Sequence, residues 1–561
     1  MEFMYQKTDN IKLFKNVSDS QNINVSGPQN YNPLYETFFT LSSKNSNSIN
    51  LNHKHRLLHV NDKITNNIFL CDIDKNDNKT EVFFKYSPLI DPSKYIIGKY
   101  DINDPKLLEL PTFENNTAIE KSNDPNNSAY VDGFFTYLTS QLLHNHQFVH
   151  ATDFYGSFLA IKNDFECNVA DDIEYLNESD FFHKNNGTKF RIESEHALNF
   201  FNFDTRQNKS RLSLSMPIEN CDIMELGDIS NIDELSEMFD SSLEIVKKEE
   251  TPVDLMFSCD LSGNVEDTSS SECSSRSSIT QDDDDDDDDN DMDCSLSETD
   301  SGFSTASEDV MIATIPKFPV NVIALEKCED TLDSLIIESG KSFKDDEWCS
   351  IIIQIIMTLC AYQKTFHLTH NDLHTNNIMY VSTDEPFLYY KMGDSYYKVP
   401  TFGRIYKIID FGRAIYKFRG NTICSDSYHK NGDAATQYNF EPYLNKNKPV
   451  IEPNYSFDLC RLGCSMIDFF DEEISKDNKT QQLINEWCQD DNGKNVLYKK
   501  NGDERYPNFK LYKMIARTVH NHTPDRELSK KYFSRFRVTK KTLRTGNNIM
   551  NIDNLPCYAL N

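Results

Sequence analysis

Eight consecutive aspartates, Asp282 to Asp289, lie inside a stretch from about residue 223 to 312 made mostly of Ser, Asp and Glu. Adjacent like charges cannot share a core, so the stretch reads as a disordered insertion. Any folded body in the 561-residue chain must therefore be assembled from the flanking segments, by contacts that span the insertion. There is apolar material for it: 38% of residues are hydrophobic and 12% aromatic, while a mean hydropathy of -0.61 leaves much solvated chain. The net charge of -32 repels phosphate backbones, so no nucleic-acid partner is expected. A basic protein is the natural docking partner of the acidic insertion, with "SETDSGFSTASED" as a place for phosphate control; a plain solvated spacer is the simpler reading.

The rest of the chain divides by pattern. Residues 1–54 are Asn/Ser-rich and read as a flexible lead. In 55–162, "RLLHV", "NIFLC" and "EVFFKY" read as antiparallel strands, "SAYVDGFFTYLTSQLL" as a helix capped at Ser128, and "DFYGSFLAIK" as a further strand. The insertion is set at 163–315, acidic from about 223. Residues 316–328 give a buried strand and a polar joint. Residues 329–561 open with a helix and then "DDEWCSIIIQIIMTLCAYQKTF", whose apolar run is too short to span a bilayer. A hairpin around Gly393-Asp394 and the strand "RIYKIID" follow, and after about 450 the pattern is mainly helical. The N-terminus has no signal-peptide pattern, and the 14 cysteines form no Cys-x-x-Cys pair, which points to a reducing, cytoplasm-like compartment. The histidines of "HNHQFVH", His144, His146 and His150, have no acidic or cysteine ligand at metal-binding spacing and read as ordinary loop and strand residues.

Chemistry concentrates in "HLTHNDLHTNNIMYV". His370-Asn371-Asp372-Leu373 with Asn377 five residues past the Asp supplies a carboxylate for a hydroxyl proton and an amide carbonyl for a metal. Asp410-Phe411-Gly412 follows the apolar strand "KIID". "DLCRLGCSM" places Asp458 and Gly463 at the start of a buried helix, and "EVFFKYSPL" puts Lys85 on a strand.

In this order, Lys85, "ALEKCED", "HNDLHTNN", "DFG" and "DLCRLG" resemble the protein-kinase superfamily over about residues 55–475, nearest to the divergent serine/threonine protein kinases of giant DNA viruses (mimivirus type). The resemblance implies an α+β, two-lobed protein-kinase-like fold interrupted by the acidic insertion, binding ATP and Mg2+ and phosphorylating a protein substrate. It implies Asp372 as catalytic residue and Asn377 and Asp410 as metal ligands. Lys85, with Asp132 as its partner, would hold ATP; a hinge at Glu326 to Cys328 would face the adenine; Asp458 would brace the catalytic loop. If the chain is viral, the compartment is the host cytoplasm or the virion.

The pattern departs from the family in places. No glycine precedes Lys85 in "HVNDKITNNIFLCDIDKNDNKTE", so close approach of backbone amides to phosphates is disfavoured. Asn371 replaces the usual arginine, so activation through a loop phosphate is not expected. His374 stands where a lysine is usual, partly charged near neutral pH. "FEPYL", with Glu441 and Pro442, is the nearest counterpart of Ala-Pro-Glu. Two alternatives follow: a small-molecule phosphotransferase of the aminoglycoside or choline kinase type, favoured by "DLH", and a catalytically weak pseudokinase scaffold, favoured by the missing glycines.

Overall fold

The computed structural model describes residues 5–7, 10–19, 23–51, 55–74, 79–114, 117–193, 311–470, 478–507, 509–543 and 548–560, all within one compact unit. The aspartate run and the acidic segment from about 223 to 310 lie outside these residues.

The first 54 residues, expected as a flexible lead, instead supply β1 (Tyr5–Lys7), β2 (Val25–Gln29) and β3 (Ile49–Leu51), with Leu34, Tyr35 and Leu51 buried in the main core. Their asparagines do the work of backbone partners. The Asn47 Oδ1 accepts from the amides of Asn30 (2.6 Å) and Tyr31 (3.1 Å), and Asn32 caps the turn that delivers Leu34 and Tyr35. Asn-rich composition here marks side-chain-stapled turns rather than disorder.

The three predicted runs become β4 (Leu57–Lys63), β5 (Ile68–Ile73) and β6 (Thr80–Pro88), and two 15-residue strands, β7 (Phe154–Asn168) and β9 (Ile312–Glu326), form a long ribbon with β8 (Arg191–Glu193) paired to β9. Sheet order is β2-β7-β9-β6-β5-β4, antiparallel throughout. The insertion is therefore narrower than 163–315. Pairing runs on to Asn168 and Ile312, with Phe165 and Cys167 buried and Asp164, Glu166 and Asn168 turned outward, a period-2 signal that the charged letters of "KNDFECN" obscure.

The helix Ser128–His146 lies on this sheet, capped by Asn127 rather than Ser128: the Asn127 Oδ1 accepts from the Ala129 amide at 3.0 Å. Gly133 allows the close approach. A Cβ there would stand 2.8 Å from the Asn321 Nδ2 and 3.3 Å from the Ile323 Cδ1, and that same Nδ2 donates to the Ala129 carbonyl at 2.8 Å.

Past β9 the chain gives β10 (Asp330–Thr331), β11 (Ile378–Ser382), β12 (Phe387–Met392), β13 (Ser395–Pro400), β14 (Arg404–Ile408), and a hairpin of β15 (Ile415–Phe418) and β16 (Asn421–Cys424). The helix Asp345–Phe366 forms where expected; its full 22 residues could cross a bilayer by length and composition alone, but 94% of that apolar window is buried in protein, so it is no clear membrane span. The turn at Gly393-Asp394 joins β12 to β13 as predicted. After 450 the helices Phe457–Met466, Lys479–Trp487, Lys510–Thr518 and Pro524–Leu528 are joined by two short strands, β17 (Arg537–Val538) and β18 (Ile549–Asn551), which flank the β12–β13 hairpin.

Replacing Gly133 by Val overpacks the helix against β9. Thermal unfolding of Gly133→Val should show a lower midpoint and a cost of about 1–3 kcal/mol; an unchanged midpoint contradicts the close-packing account.

Candidate active site

On β6 the alternation of side chains puts Lys85 and Ser87 on one face and Val82 and Phe84 on the other, where the latter two are buried. Lys85 and Ser87 face Asp132, one residue before Gly133 on the Ser128–His146 helix. The Lys85 Nζ lies 2.7 Å from the Asp132 Oδ2 and 2.9 Å from the Asp410 Oδ1. The Ser87 hydroxyl donates to Asp132 Oδ2 at 3.4 Å, and the Asp132 Oδ1 accepts the amide of Phe411 at 2.8 Å. Burial opposes the Lys85 charge, but Asp132 and Asp410 outweigh it and hold the ammonium above its ordinary range. Burial likewise works against the Asp410 charge, and Lys85 reverses this to lower the carboxyl.

The loop His367–Asn377 leaves the end of the Asp345–Phe366 helix through a left-handed His367, φ 54°. Antiparallel pairing of β11 with β14, Ile378 opposite Ile408, sets Asn377 beside Ile409, whose amide donates to the Asn377 carbonyl at 3.0 Å. This brings Asn377 and Asp410 together across 33 residues, with the β12–β13 hairpin looped out. Asp458 braces the loop as expected: its two oxygens accept the amides of His370 (2.9 Å) and Asn371 (2.8 Å), and it is fully buried. Gly463, one helical turn on, admits Trp487 against the same helix.

Asn371, fully buried at φ 65°, donates to the carbonyls of Thr369 and Arg413 (both 3.1 Å) and accepts from the Tyr438 hydroxyl at 2.7 Å. It fastens the loop to the segment after Asp410-Phe411-Gly412. The amide nitrogen of Asn377 donates to the Asp372 carbonyl (2.9 Å) and to the His374 Nε2 (3.1 Å), which leaves Oδ1 as the atom for a metal. Burial lowers the His374 pKa against the opposing pull of Asp372, so the ring is charged to a smaller extent near neutral pH than an exposed histidine.

Three residues that the sequence did not single out act on Asp372. The Tyr512 hydroxyl, from the Lys510–Thr518 helix, donates to the Asp372 Oδ1 at 2.8 Å, and Arg461 donates to that same hydroxyl at 2.9 Å. Arg413 sits 3.9 Å from the Asp372 Oδ1 and is also paired with Asp433. Burial pushes the Asp372 carboxyl up, but Arg413, His374, Arg461 and the Tyr512 hydrogen bond bring it down to about 2. No local pattern marks Tyr512, which lies 140 positions from its partner.

Lys85, Asp132, Asp372, Asn377 and Asp410 line one cavity of about 300 Å3. Glu326 and Cys328 do not. The Glu326 carboxylate accepts from the Lys407 Nζ (2.6 Å) and the Asp153 amide (3.0 Å), and its own amide donates to the Asp153 carbonyl (2.9 Å), so its polar groups tie β9 to β7 and β14. The thiol of Cys328 is half-buried, and burial raises it to about 12. The cavity is lined instead by the end of the β7 ribbon, Phe165 to Asn168. There Glu166 accepts the side-chain amide of Asn66, from the glycine-free β4–β5 turn, at 2.7 Å. Glu441 is exposed.

No family model matches this chain, and no curated protein does.

The segment beyond β16 also reaches the helix that carries Asp132. The Asp426 carboxylate accepts the Ser128 amide at 3.0 Å and the Lys121 Nζ at 2.6 Å, a second cap beside Asn127. Of the three histidines of "HNHQFVH", His150 is buried between the Tyr406 carbonyl (2.7 Å) and the Tyr390 hydroxyl (2.6 Å), and His146 meets the Tyr558 hydroxyl at 3.0 Å. His144 does find an acidic partner, Asp153, nine residues on at 2.6 Å, together with His55.

A carboxyl held at about 2 contributes stability that is complete above the unfolded value near 4 and is lost as pH falls through about 2, roughly 2 kcal/mol in all. In Tyr512→Phe one of the groups lowering that pKa is gone. Urea unfolding should show the variant about 1–2 kcal/mol less stable at pH 7, with the gap closing by pH 2. A gap that stays constant between pH 5 and pH 2 contradicts the assignment.

Proposed function

We propose that the chain is a two-lobed protein kinase that transfers the γ-phosphoryl group of ATP, as its Mg2+ complex, to serine or threonine hydroxyls of proteins. The sheet with the Ser128–His146 helix is the small lobe, and the helical part after β10 is the large lobe. The observation that carries the reading is the convergence of Lys85, Asp132, Asp372, Asn377 and Asp410 on one cavity from separate stretches of chain. An Asn- and Asp-rich sequence produces "HxDxxxxN" by accident easily. It does not by accident set that loop against a strand lysine, a helix carboxylate and an Asp-Phe-Gly turn.

In this reading Lys85, held by Asp132, positions the α- and β-phosphates, and Asp372 orients the acceptor hydroxyl and receives its proton. An Asp372 carboxyl held near 2 stays ionised at neutral pH, as that role requires. The hard oxygen donors of Asp410 and Asn377 suit Mg2+, which when bound neutralises phosphate charge. Charge balance favours the same ion. Four carboxylates, Asp132, Glu166, Asp372 and Asp410, line the cavity against the ammonium groups of Lys85 and Lys121, a surplus that repels bare triphosphate and accepts a magnesium complex. The scaffold reading retains one specific support, Glu166, whose charge stands among the lining groups where phosphates need donors.

Two experiments test the proposal. With γ-labelled ATP and generic protein substrates, the wild-type protein should label serine or threonine, and Asp372→Ala should reduce this by at least about 100-fold; label confined to small hydroxylated compounds, or equal in both proteins, contradicts it. Calorimetric titration with Mg-ATP should show Glu166→Gln binding several-fold more tightly than wild type. If neither protein binds Mg-ATP, the scaffold reading replaces the enzyme.

A further inference from the structure

A second group of ligand-type side chains lies outside the cavity. His55 stands just ahead of β4, His144 in the last turn of the Ser128–His146 helix, and Asp153 just ahead of β7. The His55 Nδ1 is 2.9 Å from the Asp153 Oδ2, and the His144 Nε2 is 2.6 Å from the Asp153 Oδ1. The three ligand atoms all lie within 4.8 Å of one another, and the imidazoles meet edge to face with centroids 4.8 Å apart.

We infer that His55, His144 and Asp153 form a binding site for a borderline divalent cation of the Zn2+ class, distinct from the Mg2+ of the proposed reaction. Two imidazoles and a carboxylate are the donor set that Zn2+ prefers, with a fourth position left for water, whereas Mg2+ favours oxygen donors. The Asp153 carboxylate is nearly buried, 6% exposed, and among the described residues no lysine or arginine is paired with it. Among the described residues its carboxylate meets two imidazole nitrogens, donors that a divalent cation can share with it. The carboxylate is also held from behind: the Asp153 amide donates to Glu326, which is fixed by Lys407, and its carbonyl accepts the Glu326 amide. Tetrahedral coordination with bonds near 2.0–2.1 Å sets donor atoms roughly 3.3 Å apart. The 2.9 and 2.6 Å contacts, which go to different oxygens of Asp153, must therefore open by about 0.4 and 0.7 Å, with the carboxylate turning to offer one oxygen to the ion. On binding, the proton on each ligating nitrogen moves to the other ring nitrogen, and any imidazolium proton goes to solvent.

Such an ion joins three pieces of chain: the approach to β4, the end of the Ser128–His146 helix and the approach to β7. It fixes the end of the helix that carries Asp132 three turns earlier, and it does so beside the last residue of β9.

The test uses the full-length protein freed of metal by chelation. Titration with Zn2+ should show one ion per chain, raise the thermal midpoint, and be unaffected by excess Mg2+. Co2+ in its place should give the visible absorption of a four-coordinate ion, abolished by Zn2+. His55→Gln, His144→Gln and Asp153→Asn should each weaken Zn2+ binding about tenfold or more, while His520→Gln, at the exposed His520–Asp491 pair, should not. A folded wild-type protein without the cobalt absorption, or binding equally strong in the three site variants, overturns the proposal. The cobalt spectrum is read on wild type alone, so poorly folding variants do not shield the proposal.

Discussion

One carboxylate ties the candidate site together. Asp132 receives the Lys85 ammonium on one oxygen and the Phe411 amide on the other, so the strand that presents Lys85 and the turn that presents Asp410 are both indexed to a single helix position. Its short side chain reaches the Lys85 Nζ at 2.7 Å because the helix lies close to the sheet. Gly133, next in sequence, has no Cβ to hold the helix off β9. Asn127 and Asp426 then fix where the helix begins.

The loop that carries Asp372 is held with similar economy and without a phosphate. Asp458 takes two successive amides, Asn371 joins the loop to Arg413 and Tyr438, and Tyr512 holds one oxygen of Asp372 itself. The contacts around Asn371 are neutral hydrogen bonds. Asp426, in the segment after β16, accepts the Lys121 Nζ and the Ser128 amide at the helix N-terminus.

Much of this was legible in the sequence because it is local. The β6 alternation, the 22-residue helix, the Gly393-Asp394 turn and the spacing of Asp372 and Asn377 all depend on neighbours within a few residues. The partner of Lys85 could be guessed only because few acids lie on that helix. What stayed hidden was set by distant contacts: Tyr512 on Asp372, Asp426 on Ser128, and His55 with His144 and Asp153. The N-terminal segment and residues 163–168 were misread for a different reason. Polar letters that staple turns or face outward from a ribbon look, by composition, like disordered chain.

The central claim is that Lys85 and Asp132 act as one unit in holding nucleotide, and a double-mutant cycle on Mg-ATP affinity tests it most directly. Lys85→Met, Asp132→Asn and the double variant should be compared with wild type by calorimetric titration, each checked for native thermal unfolding. The account predicts strong coupling, with the double variant binding no more weakly than the worse single variant. Losses that simply add would show that the two residues act independently and would contradict it.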